Sequence, residues 1–176
     1  GKEMAVEDFN EAGGVDGKTI ELVSEDDASS ASQSASAVTK LINQDKVVGI
    51  IGAHNSACTL AGLEVLNRYG VPMITPGSSA ETVLTSGCEW ISRAFPGDDL
   101  QCKALLNYIE ENQDVDKIGV IYSNDDFGKG GLDSITEAAE EKGKEVVSES
   151  FANEDKDMTA QLSKLRDEGA EALFIW

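Results

Sequence analysis

The chain has 176 residues, 40% of them hydrophobic, which is enough apolar material for a buried core and sets disorder aside. Fourteen basic residues against 33 acidic ones leave a net charge of -19, which would repel a phosphate backbone or an anionic lipid surface, so nucleic acid is excluded as a partner. Three cysteines without C-x-x-C spacing and one histidine are too few ligands for a zinc site, and no apolar run approaches the roughly 20 residues of a membrane span.

The opening GKEMAVEDFNEAGG reads as the second half of an amphipathic helix, with Met4, Ala5, Asp8 and Phe9 on a mostly apolar stripe and Gly13-Gly14 as the stop. TIELVSE (19–25) follows as a strand. The serine-rich segment after it is helical rather than a linker, because Ala31, Ala35, Val38, Leu41 and Ile42 recur at helical spacing. Then come the strand VVGIIG (47–52), a helix over 56–69, the strand VPMIT (71–75), a long loop over 76–87 and the short strand EWISRAF (89–95). The second half runs as a helix over 101–112, the strand KIGVIYS (117–123), a helix over 132–142 stopped by Gly143, the strand EVVSES (145–150), a helix over 158–166 and the strand EALFIW (171–176). Alternating strands and helices with near-continuous apolar strands predict an α/β protein with parallel sheets covered on both faces. The halves echo each other: Gly17-Lys18 and Gly143-Lys144 each open a strand, and Lys40-Leu41 and Lys164-Leu165 each close the helix that follows. Two similar lobes are the simple reading, 1–95 and 96–176, parted in AFPGDDLQ, where proline, glycine and an acidic N-cap separate a strand from a new helix. The helix that starts midway and the strand that ends at Trp176 read as parts of a longer chain.

In open parallel sheets, ligands collect at the carboxyl ends of strands, where helix N-termini offer unpaired backbone N–H groups. Two neighbouring strands end in that style. VVGIIG runs into AHNSACT, with Ser56 as the expected N-cap, and VPMIT runs into Pro76-Gly77-Ser78-Ser79. Small residues allow close backbone approach and hydroxyls donate or accept, a surface that suits a carboxylate. A nucleophile reading of His54 and Ser56 is weaker, because the G-x-S-x-G elbow is absent and no third group orients the histidine. His54 reads as a rim residue, and Cys58, inside the helix, reads as a small buried apolar group. FGKGG (127–131) fails the dinucleotide pattern at Asp133 and the P-loop pattern at Gly130, so no cofactor is expected, and it reads as a tight strand-to-helix turn with Phe127 at its tip.

The stretches DFNEAGGVDGKTIELVSEDD, IIGAHNSACT, VPMITPGSSAETVLT, the arginine of EWISRAFPGDDLQ, and DDFGKGG, in that order and spacing, resemble the type I periplasmic binding proteins of the leucine/isoleucine/valine group across essentially the whole chain. That resemblance implies two Rossmann-like lobes truncated at both ends, the first lacking its opening strand. It implies a non-enzymatic, periplasmic or extracellular binding component of an ABC importer, with a membrane permease as partner and a lipid anchor on the parent protein as one option. Its ligand would be a branched-chain or other small amino acid, or a related small carboxylate, held in the inter-lobe cleft. Ser56 would hydrogen-bond the ligand carboxylate, the Gly77 carbonyl and Ser79 hydroxyl would take the ammonium, Ser78 would lie beside them, and Phe127 would cover the ligand from the second lobe. His54 has no matching role. Where some members carry a disulfide, this chain has Ser29 and Asn55, and the acidic partner for the ammonium would lie past Trp176. Two further classes are a sensory ligand-binding domain of a receptor or regulator on the same fold, and a hydrolase using Ser56 or Cys58.

Overall fold

A computed structural model describes all residues from Gly1 to Trp176. Two three-stranded parallel sheets form in it. In the first, β1 (Ile50–Ile51), β2 (Met73–Thr75) and β3 (Ile91–Arg93) lie in the order β1-β2-β3. In the second, β4 (Lys117–Ser123) is central between β5 (Glu145–Phe151) and β6 (Ala172–Ile175). The expected α/β class with parallel sheets is therefore the observed one.

Around the first sheet run α1 (Lys2–Glu11), α2 (Ala31–Asn43), α3 (Ser56–Tyr69) and the single turn α4 (Thr82–Thr85). Thr59, Gly62, Leu63 and Leu66 recur at helical spacing and form the buried stripe of α3. The helix stops at Gly70, whose φ of 68° is the left-handed conformation that glycine tolerates and whose N–H donates to the Leu66 carbonyl at 2.8 Å. Ser34, Val38 and Ile42 make the matching stripe of α2, and Gly62 lets Val38 approach closely. The resulting core holds Val38, Leu63, Leu66, Met73, Val83 and Ile91, and each fully buried leucine contributes on the order of 1.5–3 kcal/mol.

Around the second sheet run α5 (Asp98–Asn112), α6 (Asp126–Glu141) and α7 (Thr159–Asp167). The apolar run of β4 buries Ile118, Val120 and Ile121, as a central strand covered on both faces requires. Leu106, Ile118, Val120, Ile135, Ala139 and Phe174 form a second, separate core.

Four expectations change. TIELVSE joins no ladder, because no strand lies beside it to pair with; the Asn10 side chain grips it instead, accepting from the Ile20 N–H at 2.7 Å and donating to its carbonyl at 2.9 Å. VVGIIG shortens to Ile50–Ile51, and Val48 and Ile51 are left exposed at the open edge of the sheet. Helix α1 buries no residue, so Met4 and Phe9 of the expected stripe stay exposed. FGKGG is no turn: α6 begins at Asp126 and takes in all three glycines. The Asp125 side chain caps it, accepting from the Gly128 N–H at 2.9 Å, and Gly128 and Gly131 stand where a side chain would collide with the Ser123 carbonyl and the Trp176 ring.

Candidate ligand-binding site

The carboxyl ends of β1, β2 and β4 and the N-termini of α3 and α6 converge on two adjoining open cavities. One, of about 330 Å³, is lined by Asp27 and Ser29, by His54, Asn55 and Ser56 from the start of α3, and by Gly77 and Phe127. The other, of about 350 Å³, shares His54, Gly77 and Phe127 and adds Ser79, Phe95, Gln101, Ile175 and Trp176.

The wall between strand ends and cavity is a hydroxyl network. The Ala53 carbonyl accepts from Thr75 at 2.7 Å and from one of Thr59 and Ser78, each 3.3 Å from it, while the other of these two spends its hydrogen on the 2.7 Å bond between their hydroxyls. Thr75 Oγ1 in turn accepts from the Ser78 N–H at 3.1 Å. Three hydroxyls gathered on one half-buried carbonyl fix the loops after β1 and β2 to each other. The loop after β2 is held again from β3, where Arg93 donates to the Ser79 carbonyl at 2.7 Å, the Ala80 carbonyl at 3.3 Å and the Glu81 carboxylate at 3.1 Å.

Ser56 does not cap α3. Asn55 does, its side-chain oxygen accepting from the Cys58 N–H at 3.3 Å, and Ser56 is the first helical residue, its oxygen accepting from the Ala80 N–H at 3.4 Å. Ser56 lines the first cavity, Ser79 the second, and Gly77 and Phe127 both; Ser78 lines neither, because its hydroxyl is turned into the network behind them. Phe127 lies in the first turn of α6 and stacks on Trp176 with ring centroids 5.9 Å apart. The exposed His54 ring lies on Gly77, where a β-carbon would come within 2.1 Å of Nδ1, so only glycine leaves the ring this place.

No lysine or arginine lines either cavity. The positive end of α3, where the neutral Asn55 cap takes only the Cys58 N–H, is what can hold an anion here, because the end of α6 already holds the Asp125 carboxylate. Asp27 supplies the negative group of the first cavity. Cys58 is buried, and burial pushes its thiol up to about 11, which leaves it protonated and a poor nucleophile at neutral pH. For Asp125, burial alone would raise the carboxyl, but bonds from the Gly128 N–H, the Asn153 amide and the Ser123 hydroxyl hold it below the usual range.

Asp27, Asn55 and Trp176 are cavity residues to which the sequence reading gave no ligand role. The Asp26-Asp27 pair was a usable signal, since its carboxylates fold their own loop, accepting from the Ala28 N–H at 2.8 Å and the Ser29 N–H at 2.9 Å.

This arrangement, a cleft at the carboxyl ends of parallel strands belonging to two sheets, is that of a bilobed ligand-binding protein. The whole chain, residues 1–176, matches the family model described as periplasmic binding protein, and the chain belongs to that family. It is similar to an "Amino acid binding protein" of Pseudomonas aeruginosa, 34% identical over 99% of this chain and 47% of that protein, and to the "Leu/Ile/Val-binding protein homolog 3" of Brucella melitensis, 31% identical over 99% and 48%. Among solved structures it resembles the branched-chain amino acid transporter substrate-binding protein LivJ of Streptococcus pneumoniae in complex with isoleucine, with a TM-score of 0.86 and 32% identity over 98% of this chain and 49% of that one. The chain thus spans about half the length of the relatives it matches.

Proposed function

We propose that this chain belongs to the extracytoplasmic solute-binding component of an ABC importer, which captures a branched-chain or other small amino acid between two lobes, 1–95 and 96–176, and presents it to a membrane permease. The observation that carries this is the shared lining of the two cavities: Gly77, from the first sheet, and Phe127, from the second, face both of them. A ligand seated there touches both halves, which is what couples capture to closure of a hinge. In this reading the Ser56 hydroxyl and the N-terminus of α3 take the carboxylate, the Gly77 carbonyl and Ser79 take the ammonium, and Phe127 covers the ligand. Membership of the family and the names of its relatives support it. No helix is long and apolar enough to cross a membrane.

Calorimetry on the full-length protein with the twenty amino acids tests the reading. One or a few should bind with one-to-one stoichiometry and no turnover. Heat from none of them, or consumption of the ligand, would overturn it.

A further inference from the structure

With the ligand carboxylate given to Ser56 and the end of α3, and with Phe127 as cover, one wall of the first cavity is still unassigned. It consists of Asp27 and Ser29, from the loop before α2, and His54 and Asn55, from the loop before α3. None of these four side chains is aliphatic. Asp27 is the only acid of the cavity, and neither cavity has a lysine or arginine to answer it.

Asp27 is half-buried and enters none of the ion pairs of the fold. Its Oδ1 accepts from the Ser29 N–H at 2.9 Å. The turn so held passes through Ala28 and Ser29, both left-handed with φ of 47° and 56°, and brings Asp27 and Ser29 to the same cavity. The carboxylate also reaches back to α3: after burial itself, it is the next cause that pushes the Cys58 thiol up to about 11. That thiol is neutral and a weak donor, so it leaves the charge of Asp27 uncancelled.

A solute entering the cavity displaces water from this carboxylate. Hydrocarbon laid over it would remove hydration and return nothing, whereas a cation offsets the loss with a charge-assisted hydrogen bond. The second cavity has the opposite character, with Phe95, Phe127, Ile175 and Trp176 as apolar lining. Ser56, however, lines the first cavity and not the second, so a ligand held there by its carboxylate extends from the polar side.

We propose that the first cavity seats the side chain of the ligand and that this side chain is cationic, with the Asp27 carboxylate as its counter-charge and the Ser29 hydroxyl as a neutral partner beside it. The ligand is thereby narrowed from any small amino acid to one with a basic side chain. Aliphatic side chains are disfavoured by the desolvation of Asp27 and acidic ones by its charge. The placing of a side chain rests on the function proposed above, whereas the capacity of the cavity for an organic cation does not.

Asp27→Asn removes the charge and keeps an oxygen that can accept from the Ser29 N–H, so the turn is preserved. Calorimetry on the full-length protein compares L-lysine with L-norleucine and L-ornithine with L-norvaline, pairs that differ only in the terminal ammonium. In at least one pair, wild type should favour the basic member by about tenfold or more, and Asp27→Asn should weaken that member about tenfold while leaving its partner within about twofold. An aliphatic member or L-leucine bound as tightly as the basic amino acids, or equal losses within a pair, overturns the side-chain assignment. A second arm uses no amino acid: n-butylammonium chloride, raised to about 50 mM against an equal concentration of sodium chloride, should shift the Ser29 amide NMR signal saturably in wild type and not in Asp27→Asn. Identical responses to the two salts overturn the cation subsite. If wild type binds no amino acid at all, the proposed function falls, and the amine arm still decides whether Asp27 holds a cation.

Discussion

Replacing Gly128 by alanine separates helix propensity from packing by the sign of its effect. Alanine is the better helix former by about 1 kcal/mol, so propensity alone predicts a more stable α6. The structure predicts the reverse. A β-carbon at position 128 would stand 1.9 Å from the Ser123 carbonyl oxygen and 2.6 Å from its hydroxyl, and a backbone carbonyl in the central strand β4 cannot swing aside as a side chain would. Overpacking of this kind costs about 1–3 kcal/mol, and moving the helix start stretches the Asp125 cap, worth about 1 kcal/mol. Set against the propensity gain, the net is a loss of about 2 kcal/mol. With a urea dependence of about 2 kcal/mol per molar, the unfolding midpoint of the full-length protein should fall by about 1 M at unchanged slope. A midpoint equal to or above wild type would show that α6 is not pressed against β4 as described.

Arg93→Lys keeps the charge but loses the planar fork that spans two carbonyls and a carboxylate, so it should lower the unfolding free energy by about 1–3 kcal/mol; the exposed Arg68, paired with Glu64, should tolerate the same change within about 0.5 kcal/mol in the same denaturation assay. Asp125 is held below its ordinary pKa of 3.8, so the folded state binds its proton less readily than the unfolded chain does: its contribution is complete above the ordinary value and is lost as pH falls through the folded one. Thermal unfolding should find Asp125→Asn less stable than wild type near neutral pH and the gap closing below about pH 4; a constant gap would deny the carboxylate its capping role.

The residues that read cleanly are those whose local pattern and global setting agree. KIGVIYS carries an apolar run at its centre and ends up buried on both faces of a sheet, and α3 spans 56–69 as expected, although Asn55 rather than Ser56 caps it. TIELVSE shows the limit of such reading, because alternation specifies a strand's faces but not its neighbours, and ladder bonds need neighbours. FGKGG failed for the opposite reason. Glycine is a poor helix former on its own, and the carbonyl and the indole that make it necessary here lie far away in sequence. Within the site, Gly77-Ser78-Ser79 was legible as a small-residue loop, but the division of labour inside it was not: the Ser78 hydroxyl joins the network on the Ala53 carbonyl, whereas Ser79 lines the second cavity and gives its carbonyl to Arg93. That division depends on Thr59 and Arg93, which reach the loop from other elements.

The placing of the chain's two tryptophans gives the protein an optical meter. Trp176 stacks on Phe127, fits against Gly131 and forms part of the second cavity's wall, so its emission senses the polarity of the space a solute would fill. Trp90 precedes β3 and packs on Gly70 past the end of α3, at the opposite pole of the first sheet from the cavities. One indole therefore stands at the cavity wall and the other away from it, so a solute entering the second cavity would change the emission of the first and leave that of the second.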